Sequence, residues 1–331
     1  MSNQTYNHEI IVIGASAGGV EVLLKLMEEL PVNFPASIFI VIHVPPEPPS
    51  ILHEILNRKS KIPVIQAQDG AFIKPGTVYV AQSDKHLLIE QGFIRVIHGP
   101  KENRFRPAID PLFRSAALAY GARVVGVILS GLLDDGTSGL VSIKEVGGLA
   151  IVQDPEDAMY ASMPQNALKR VAADYVVPMS ELADVFKKVV KLPVFPDSVA
   201  PKPKRITVET EIVKMEGDLM QKTREIGKPA GLACPECHGA LFEIDDPNML
   251  RFRCHVGHAY TAASLQADQS ENLEDKIWAA IAALDENAML LRRMADTYIS
   301  GDGLTPDELE EQAQKADENS RILRGIIAGQ K

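Results

Sequence analysis

The sequence lacks the features that mark membrane, secreted and nucleic-acid-binding proteins. No uninterrupted apolar run approaches the roughly 20 residues that span a bilayer, and residues 6–9 (Tyr-Asn-His-Glu) stand where a signal peptide would be cationic and then apolar. Only three cysteines are present, an odd number that argues against a disulfide framework. The formal net charge is -10, with no basic stripe for a phosphate backbone. We therefore expect a cytoplasmic protein with no membrane insertion and no nucleic-acid partner.

The 331 residues are enough for two units, and charge and cysteine are divided unevenly along them. Of the 34 Lys and Arg and 44 Asp and Glu, the first 195 residues hold 18 and 20, and the remainder holds 16 and 24. All three cysteines lie in this acidic second part. Prolines 193, 196, 201 and 203 predict a linker between the parts. The predicted order is an α/β domain (1–192), a Pro-rich linker and connecting segment (193–230), a zinc-binding element (231–262) and an acidic helical tail (263–331).

Short β-rich apolar runs alternate with helical patterns through the first 190 residues. This alternation is typical of a mostly parallel, doubly wound α/β sheet with helices on both faces. The predicted strands are 9–13, 38–43, 124–129, 149–153 and 174–177. Between residues 64 and 97, the runs 77–80, 86–90 and 93–97 are joined by turn residues and predict an antiparallel, hairpin-like insertion.

The end of the chain has a helical pattern. Apolar residues recur mostly every three or four positions from Leu273 to Met294, which predicts one long helix. Thr305-Pro306-Asp307-Glu308 has the composition of a capping box and predicts the start of a second helix. We expect the two to form a helical hairpin.

A glycine-rich loop, GASAGG at residues 14–19, follows the first predicted strand and opens a predicted helix. It matches a dinucleotide fingerprint poorly, because Ser16 replaces the second glycine and Glu21 is the only acidic residue nearby. It matches G-x-S-x-G letter for letter, in the strand-turn-helix context of a nucleophile elbow. A plain turn with Ser16 as a helix cap is the remaining alternative.

A serine nucleophile needs a base, and His43 ends the next predicted strand. In a right-handed βαβ unit these two strands are parallel neighbours, so Ser16 and His43 meet at one edge of the sheet. Another strand end leads into the acidic loop 130–139, where either Asp134 or Asp135 could orient the histidine. Both aspartates could instead cap a helix. The chain order Ser, His, Asp differs from the order Ser, Asp, His of α/β-hydrolases.

These segments together closely resemble one family. Over residues 8–190 the chain resembles the catalytic domain of CheB-type protein-glutamate methylesterases. The motifs that carry the resemblance are GASAGG (14–19), IHVP (42–45), RPAIDPLFRSAA (106–117), SGLLDDG (130–136) and ASMP (161–164). Position by position, the resemblance implies Ser16 as nucleophile, His43 as base and Asp135, which precedes Gly136, as the orienting carboxylate. It also implies that backbone N–H groups at Ala17 and Leu132 form the oxyanion hole.

The resemblance implies hydrolysis of glutamyl methyl esters on the helices of methyl-accepting chemoreceptors, with glutamine deamidation as a related reaction. No cofactor is expected for catalysis, and a receptor methyltransferase or other chemosensory proteins are further expected partners. We expect no receiver domain before the first strand, and therefore no control by aspartyl phosphorylation in cis.

One departure from the family pattern keeps an alternative open. Leu133 stands where the family loop has a glycine, and a branched side chain resists positive φ. The alternative function is a catalytically weak or inactive scaffold of a chemosensory complex. A nucleotide-binding protein is the third hypothesis.

The three cysteines and a nearby histidine have metal-ligand spacing. Cys234 and Cys237 are separated by two residues, and after sixteen further intervening residues Cys254 begins the run Cys-His-Val-Gly-His. This spacing predicts a structural, zinc-ribbon-like site with four tetrahedral ligands. We expect His258 as the fourth ligand rather than His255, because the longer gap after Cys254 lets both residues reach one ion. Reduced cysteines in a small core are the alternative.

Overall fold

The computed structural model describes residues 6–194, 202–297 and 304–329. The chain divides into two compact units, residues 1–265 and residues 266–331. Pro196 and Pro201, on which the predicted linker partly depended, lie outside the described residues. No helix within the described ranges is long and apolar enough to cross a membrane.

A seven-stranded parallel sheet forms the centre of the first unit in the described part of the chain. The prediction of a mostly parallel α/β fold is confirmed. In spatial order the strands are β10 (Tyr175–Val177), β9 (Leu149–Gln153), β8 (Val124–Ile128), β2 (Ile10–Ala15), β3 (Ser37–Ile42), β5 (Val78–Val80) and β4 (Val64–Gln66). A two-residue strand, β1 (Tyr6–Asn7), pairs separately with β11 (Pro193–Val194).

Helices cover both faces of this sheet, which explains its almost continuously apolar strands. Along β2, Ile11 and Ile13 belong to one hydrophobic core, whereas Ile10 and Val12 belong to the other. The first core is closed by α1 (Gly19–Glu29), α2 (Leu52–Asn57) and α6 (Leu182–Val189). The second is closed by α3 (Ile109–Tyr120), α4 (Thr137–Glu145) and α5 (Ser162–Arg170).

The predicted insertion is correct in part. β6 (His86–Glu90) and β7 (Phe93–Ile97) form the expected antiparallel hairpin. The prediction that 77–80 belongs to this hairpin is wrong, because Val78–Val80 pairs in parallel with β3 in the main sheet. All three residues of this strand are buried, which is the environment of a parallel strand covered on both faces. β4 was not predicted.

The first unit continues past the predicted α/β domain. Two short helices, α7 (Lys204–Val213) and α8 (Leu219–Ile226), occupy the predicted connecting segment. Apolar residues of both helices pack with Ile244 in a small core of their own. A four-stranded antiparallel sheet follows, which we call the C-terminal element. Its strands are β12 (Gly227–Ala233), β13 (Ala240–Ile244), β14 (Arg251–Cys254) and β15 (Ala259–Thr261).

Two long helices make up most of the second unit. α9 (Ala262–Asp296) begins at the end of the first unit, and α10 (Pro306–Ala328) follows. Leu291 of α9 packs with Leu309 and Ala313 of α10, as predicted for a helical hairpin. The capping box at Thr305 and Glu308 is also confirmed.

Buried charges join the C-terminal element to the α/β domain and to α7. Glu102, from the loop before α3, pairs with Arg114 of α3 and with Arg253 of β14. Glu209 of α7 pairs with Arg253 and with Arg251. Burial alone would raise the pKa of Glu209, but the nearby arginines hold this pKa well below its ordinary value. Glu102 therefore stays ionised between arginines of α3 and β14, and Glu209 stays ionised between two arginines of β14.

We predict that Glu209→Gln lowers the free energy of unfolding by about 3–5 kcal/mol, because it leaves two buried arginines short of a counter-charge. Urea unfolding followed by circular dichroism measures this change. The matched control is Lys187→Ala, which breaks a surface pair with Asp184 and should change stability by less than about 1 kcal/mol. Equal effects of the two variants would contradict the prediction.

Candidate active site and metal cluster

Three polar side chains meet at the carboxyl-terminal edge of the parallel sheet. Ser16 follows β2, His43 follows β3, and Asp135 lies in the loop after β8. His43 Nδ1 lies 3.2 Å from Ser16 Oγ, and His43 Nε2 lies 2.8 Å from Asp135 Oδ2. Since β8, β2 and β3 are adjacent and parallel, their ends bring the three side chains together. The βαβ argument had placed Ser16 beside His43.

The turn after β2 holds Ser16 at the edge of the sheet. The Ser16 N–H donates to Ser130 O, and Ser16 O accepts from the N–H of Gly19, where α1 begins. Gly18 has φ 75°, and a Cβ there would lie 2.7 Å from Ser130 Oγ. Glycine is required at this position for its backbone conformation and for space. The hydrogen bond from Ser16 to Ser130 thus connects the loops that follow the neighbouring strands β2 and β8.

The Asp135 carboxylate is buried and surrounded by donors. Oδ2 accepts from His43 and from the backbone N–H of Ile109, at the start of α3. Burial alone would raise the pKa of Asp135, but the hydrogen bonds from His43 and from the Ile109 N–H hold it below its ordinary value. The ionised carboxylate can only accept, so His43 Nε2 carries the proton and Nδ1 is free to accept from the Ser16 hydroxyl.

The neighbouring Asp134 has a different environment. Its Oδ1 accepts from Thr261 Oγ1, at 2.8 Å, and burial raises the pKa of its carboxyl. Their contacts therefore distinguish the two candidate aspartates. Asp135 contacts the histidine, and Asp134 contacts the C-terminal element.

The loop between β8 and α4 contains the residue that departs from the family pattern. Leu133 has φ 60°, so this turn adopts the left-handed conformation that a branched side chain resists. Its carbonyl accepts from Asn166 Nδ2 at 2.8 Å and from Ser162 Oγ at 3.3 Å. Those two bonds from α5 help to hold a backbone conformation that a leucine alone disfavours.

The two predicted oxyanion groups lie on the loops that flank the serine. Ala17 directly follows Ser16, and Leu132 lies in the Leu133 loop and is 52% exposed. Among the described residues, neither N–H donates to a backbone carbonyl. The oxyanion role of both groups stays a prediction.

A cleft of about 550 Å³ opens beside Ser16 and His43. Its walls are mostly apolar and come from the ends of β2 and β3, the proline-rich loop after His43, and α2. Ile42, Val44, Pro48, Ile51 and Leu52 are among the lining residues. The serine and histidine therefore face a space that suits an apolar or amphipathic polypeptide surface.

Two residues near the site were missed by the sequence reasoning. The Phe105 ring stacks on the His43 imidazole, with ring centroids 3.6 Å apart. Asn103 Nδ2 donates to Asp135 Oδ1 at 2.9 Å. Both precede α3 in a loop with no periodicity and no motif, so the sequence contained no signal for them apart from their closeness to the RPAIDPLF segment.

The C-terminal element brings together the four predicted metal ligands. The ligand atoms of Cys234, Cys237, Cys254 and His258 all lie within 4.8 Å of one another. The Sγ atoms of Cys237 and Cys254 are 3.7 Å apart, and His258 Nδ1 lies 3.6 Å from Cys254 Sγ. Sulfurs about 2.3 Å from a tetrahedral zinc ion lie about 3.8 Å apart, so the cluster has suitable dimensions. His255 instead lies against Gly239.

A comparison with known families assigns the α/β domain. The CheB methylesterase family model matches residues 11–186. The chain belongs to this family. A similar solved structure is the Thermotoga maritima CheB methylesterase catalytic domain, which is 36% identical, with a TM-score of 0.54 over 55% of this chain and 98% of that one.

Curated relatives carry the same name but differ in length. A putative protein-glutamate methylesterase/protein-glutamine glutaminase from Leptospira interrogans is 40% identical over 54% of this chain and 94% of its own length. Protein-glutamate methylesterase/protein-glutamine glutaminase 2 of Methanosarcina mazei is 36% identical over 58% of this chain. The chain spans only 54% of the length of that relative. Each of these matches covers little more than half of this chain.

A buried carboxyl beside the site should make stability depend on pH. Burial, and then the charge of Asp135, raises the pKa of Asp110 to about 7. The folded state therefore holds a proton that the unfolded chain releases near pH 4, and stability falls as pH rises from about 4 to about 7, by up to about 1.4 kcal/mol per pH unit.

We predict that Asp110→Asn removes this contribution, so that wild type loses stability relative to the variant across this pH range. Urea unfolding at half-unit intervals from pH 4.5 to 8 measures both proteins. Local repacking in the variant shifts its stability by a similar amount at every pH, so only the difference in slope reports the carboxyl. Parallel curves for the two proteins would rule the effect out.

Proposed function

We propose that this protein hydrolyses glutamyl methyl esters on methyl-accepting chemoreceptors, in chemotaxis-type signalling. Its family membership supports the reaction class. The single observation that carries the proposal is the hydrogen-bonded series from Asp135 through His43 to Ser16, which ends at an apolar cleft. A series in this order is the arrangement by which serine hydrolases activate a hydroxyl group.

In the proposed mechanism, His43 Nδ1 removes the proton from Ser16 Oγ as the oxygen attacks the γ-carbonyl carbon of the ester. The N–H groups of Ala17 and Leu132 donate to the oxyanion that forms. Asp135 holds the imidazole in place and stabilises its positive charge through Nε2. His43 then gives the proton to the methoxy oxygen as its bond to the γ-carbon breaks, and methanol leaves. A water molecule, deprotonated by the same nitrogen, releases glutamate and restores Ser16.

Glutamine deamidation follows the same path with ammonia as the leaving group. The printed names of the relatives pair the two activities, and the proposed acyl-enzyme is the same in both. The proposed substrate is a helix of the receptor, whose apolar side would lie against Ile51 and Leu52 of the cleft.

The conformation of Leu133 weakens the scaffold alternative. The doubt about catalysis came from a leucine in a turn that needs positive φ. Here Leu133 adopts φ 60° with its carbonyl held by Asn166. The departure from the family pattern is therefore compatible with an oxyanion hole.

We further propose that Cys234, Cys237, Cys254 and His258 bind one structural zinc ion. The spacing of the four ligand atoms and the chemistry of three sulfurs with one imidazole suit tetrahedral zinc. With all four positions taken by protein, no site is left for a substrate, so the role is to hold the turns of the C-terminal element together. The apolar core of this element is small, and metal binding would supply folding free energy.

We predict that Ser16→Ala abolishes methanol release from methylated receptor cytoplasmic fragments, with kcat falling by at least about 10⁴-fold. Gas chromatography of released methanol measures the rate. Ser180, an exposed residue far along the chain from the predicted site, provides the control, and Ser180→Ala should match wild type. Equal release by wild type and Ser16→Ala would refute the serine mechanism. No release by folded, zinc-loaded wild type on several receptors would favour the scaffold.

We predict that His258→Ala raises the dissociation constant for zinc by more than roughly 100-fold. Loss of only the hydrogen-bond partner of a metal ligand typically weakens metal affinity by roughly 10- to 100-fold, and loss of the ligand itself should cost more. Competition with a chromophoric chelator measures the dissociation constant. His255→Ala is the matched control, since it removes the neighbouring histidine and should leave affinity near that of wild type. The opposite ranking would make His255 the ligand.

A further inference from the structure

Asp135 receives hydrogen bonds from two side chains among the described residues. One is His43, on Oδ2, and the other is Asn103, whose Nδ2 donates to Oδ1 at 2.9 Å. The backbone N–H groups of Gly136 and Asp110 also donate to Oδ1, at 2.9 and 3.3 Å. Asn103 is the side-chain donor that does not take part in proton transfer, so its task is to fix the carboxylate.

Asn103 is held in one orientation by the C-terminal element. Its Oδ1 accepts from the backbone N–H of Thr261 at 2.9 Å and from Ser264 Oγ at 3.0 Å. A backbone N–H can only donate, so the amide oxygen must face Thr261 and the amide nitrogen must face the aspartates. The Asn103 N–H also donates to Ala259 O at 2.8 Å.

The same amide serves a second buried carboxyl. Asn103 Nδ2 donates to Asp110 Oδ2 at 2.9 Å as well as to Asp135. If the amide were reversed, its oxygen would face two carboxyl groups, which is an unfavourable arrangement in a buried site. The residue is 3% exposed, and its φ of 49° is a conformation that asparagine tolerates better than most residues.

We propose that Asn103 is a positioning residue for the Asp135 carboxylate, and that β15 and Ser264 of α9 set the orientation of the Asn103 amide. This inference rests on the proposed catalytic function of Asp135. The α/β domain that the family shares would then be insufficient by itself for full activity in this protein. Part of its proposed active site is held by residues more than 150 positions further along the chain. That strand begins directly after His258, so the metal cluster adjoins the anchor.

Two variants of Asn103 test the proposal, in the full-length, zinc-loaded protein. Asn103→Gly removes the amide without adding strain at a positive φ, and Asn103→Asp keeps the shape but replaces the donor with an acceptor. We expect kcat for methanol release to fall roughly 10- to 100-fold in both, with KM within about 2-fold of wild type. Ser264→Ala, which removes one of two donors to Oδ1, should lower kcat by a smaller factor.

The matched control is Met215→Gly. Met215 also has positive φ, at 58°, and is 53% exposed. This variant reports the general effect of a new glycine and should have the kcat of wild type. Thermal unfolding of every variant shows whether it is folded at the assay temperature.

A second readout does not depend on turnover. The proton on His43 Nε2, hydrogen-bonded to Asp135, should give a downfield proton resonance, which His43→Ala identifies by its absence. We expect this resonance to shift or to be lost by exchange in the Asn103 variants and to be unchanged in Met215→Gly.

The two readouts separate the possible failures. Folded Asn103 variants with the kcat and the His43 resonance of wild type would overturn the positioning role. If folded wild type released no methanol from any receptor fragment, the proposed function would fail, and the resonance would still decide whether Asn103 orients Asp135.

Discussion

The buried negative charge of Asp135 is the constraint that organises the first unit. An ionised carboxylate away from water is very unfavourable unless donors surround it. Here the donors come from separate places: the start of α3, the N–H before α4, His43 after β3, and Asn103 in the loop before α3. The position of each of these segments is therefore tied to one carboxylate, and the charge that organises the fold is also the one that orients His43.

The Asn103 contact extends this constraint into the C-terminal element. An amide that donates to two carboxyl groups must have its oxygen satisfied from elsewhere, and β15 supplies that donor. The buried pairs of Glu102 and Glu209 with arginines of β14 act in the same direction. Buried ion pairs add little net stability compared with apolar packing, but breaking one is costly. The contribution of these pairs is thus to specify one way of docking the element.

Much of the α/β domain could be predicted because its signals are local. The apolar runs identified the central strands, and the rules for parallel connections placed Ser16 beside His43. Choosing between Asp134 and Asp135 needed the family resemblance, since spacing in the chain cannot show which carboxylate turns toward the sheet. The run at 77–80 was assigned to the hairpin because neighbouring turn residues suggested it, whereas burial on both faces decides its pairing.

The features that escaped prediction depend on contacts between distant parts of the chain. Asn103 contacts Thr261 across 158 positions, and no local pattern reports such a pair. α7 and α8 lie in a segment that composition marked as a linker, and their apolar residues become meaningful only with Ile244 as a packing partner. The support for the Leu133 turn also escaped prediction, because the α5 residues that donate to the Leu133 carbonyl lie some thirty residues further along the chain.

These contacts also explain why the compact unit extends to Leu265 and not only to the end of the α/β domain. The C-terminal element has few buried apolar residues of its own, so it is expected to depend on its metal ligands and on charges shared with the α/β domain. The α/β domain in turn has polar groups at the edge of its site, Asp134 and Asn103, whose partners are Thr261 and Ser264. Each part supplies what the other leaves unsatisfied. Removal of the element would therefore leave buried polar groups beside the proposed nucleophile exposed or without hydrogen-bond partners. The α/β domain is thus not expected to be independent of the element.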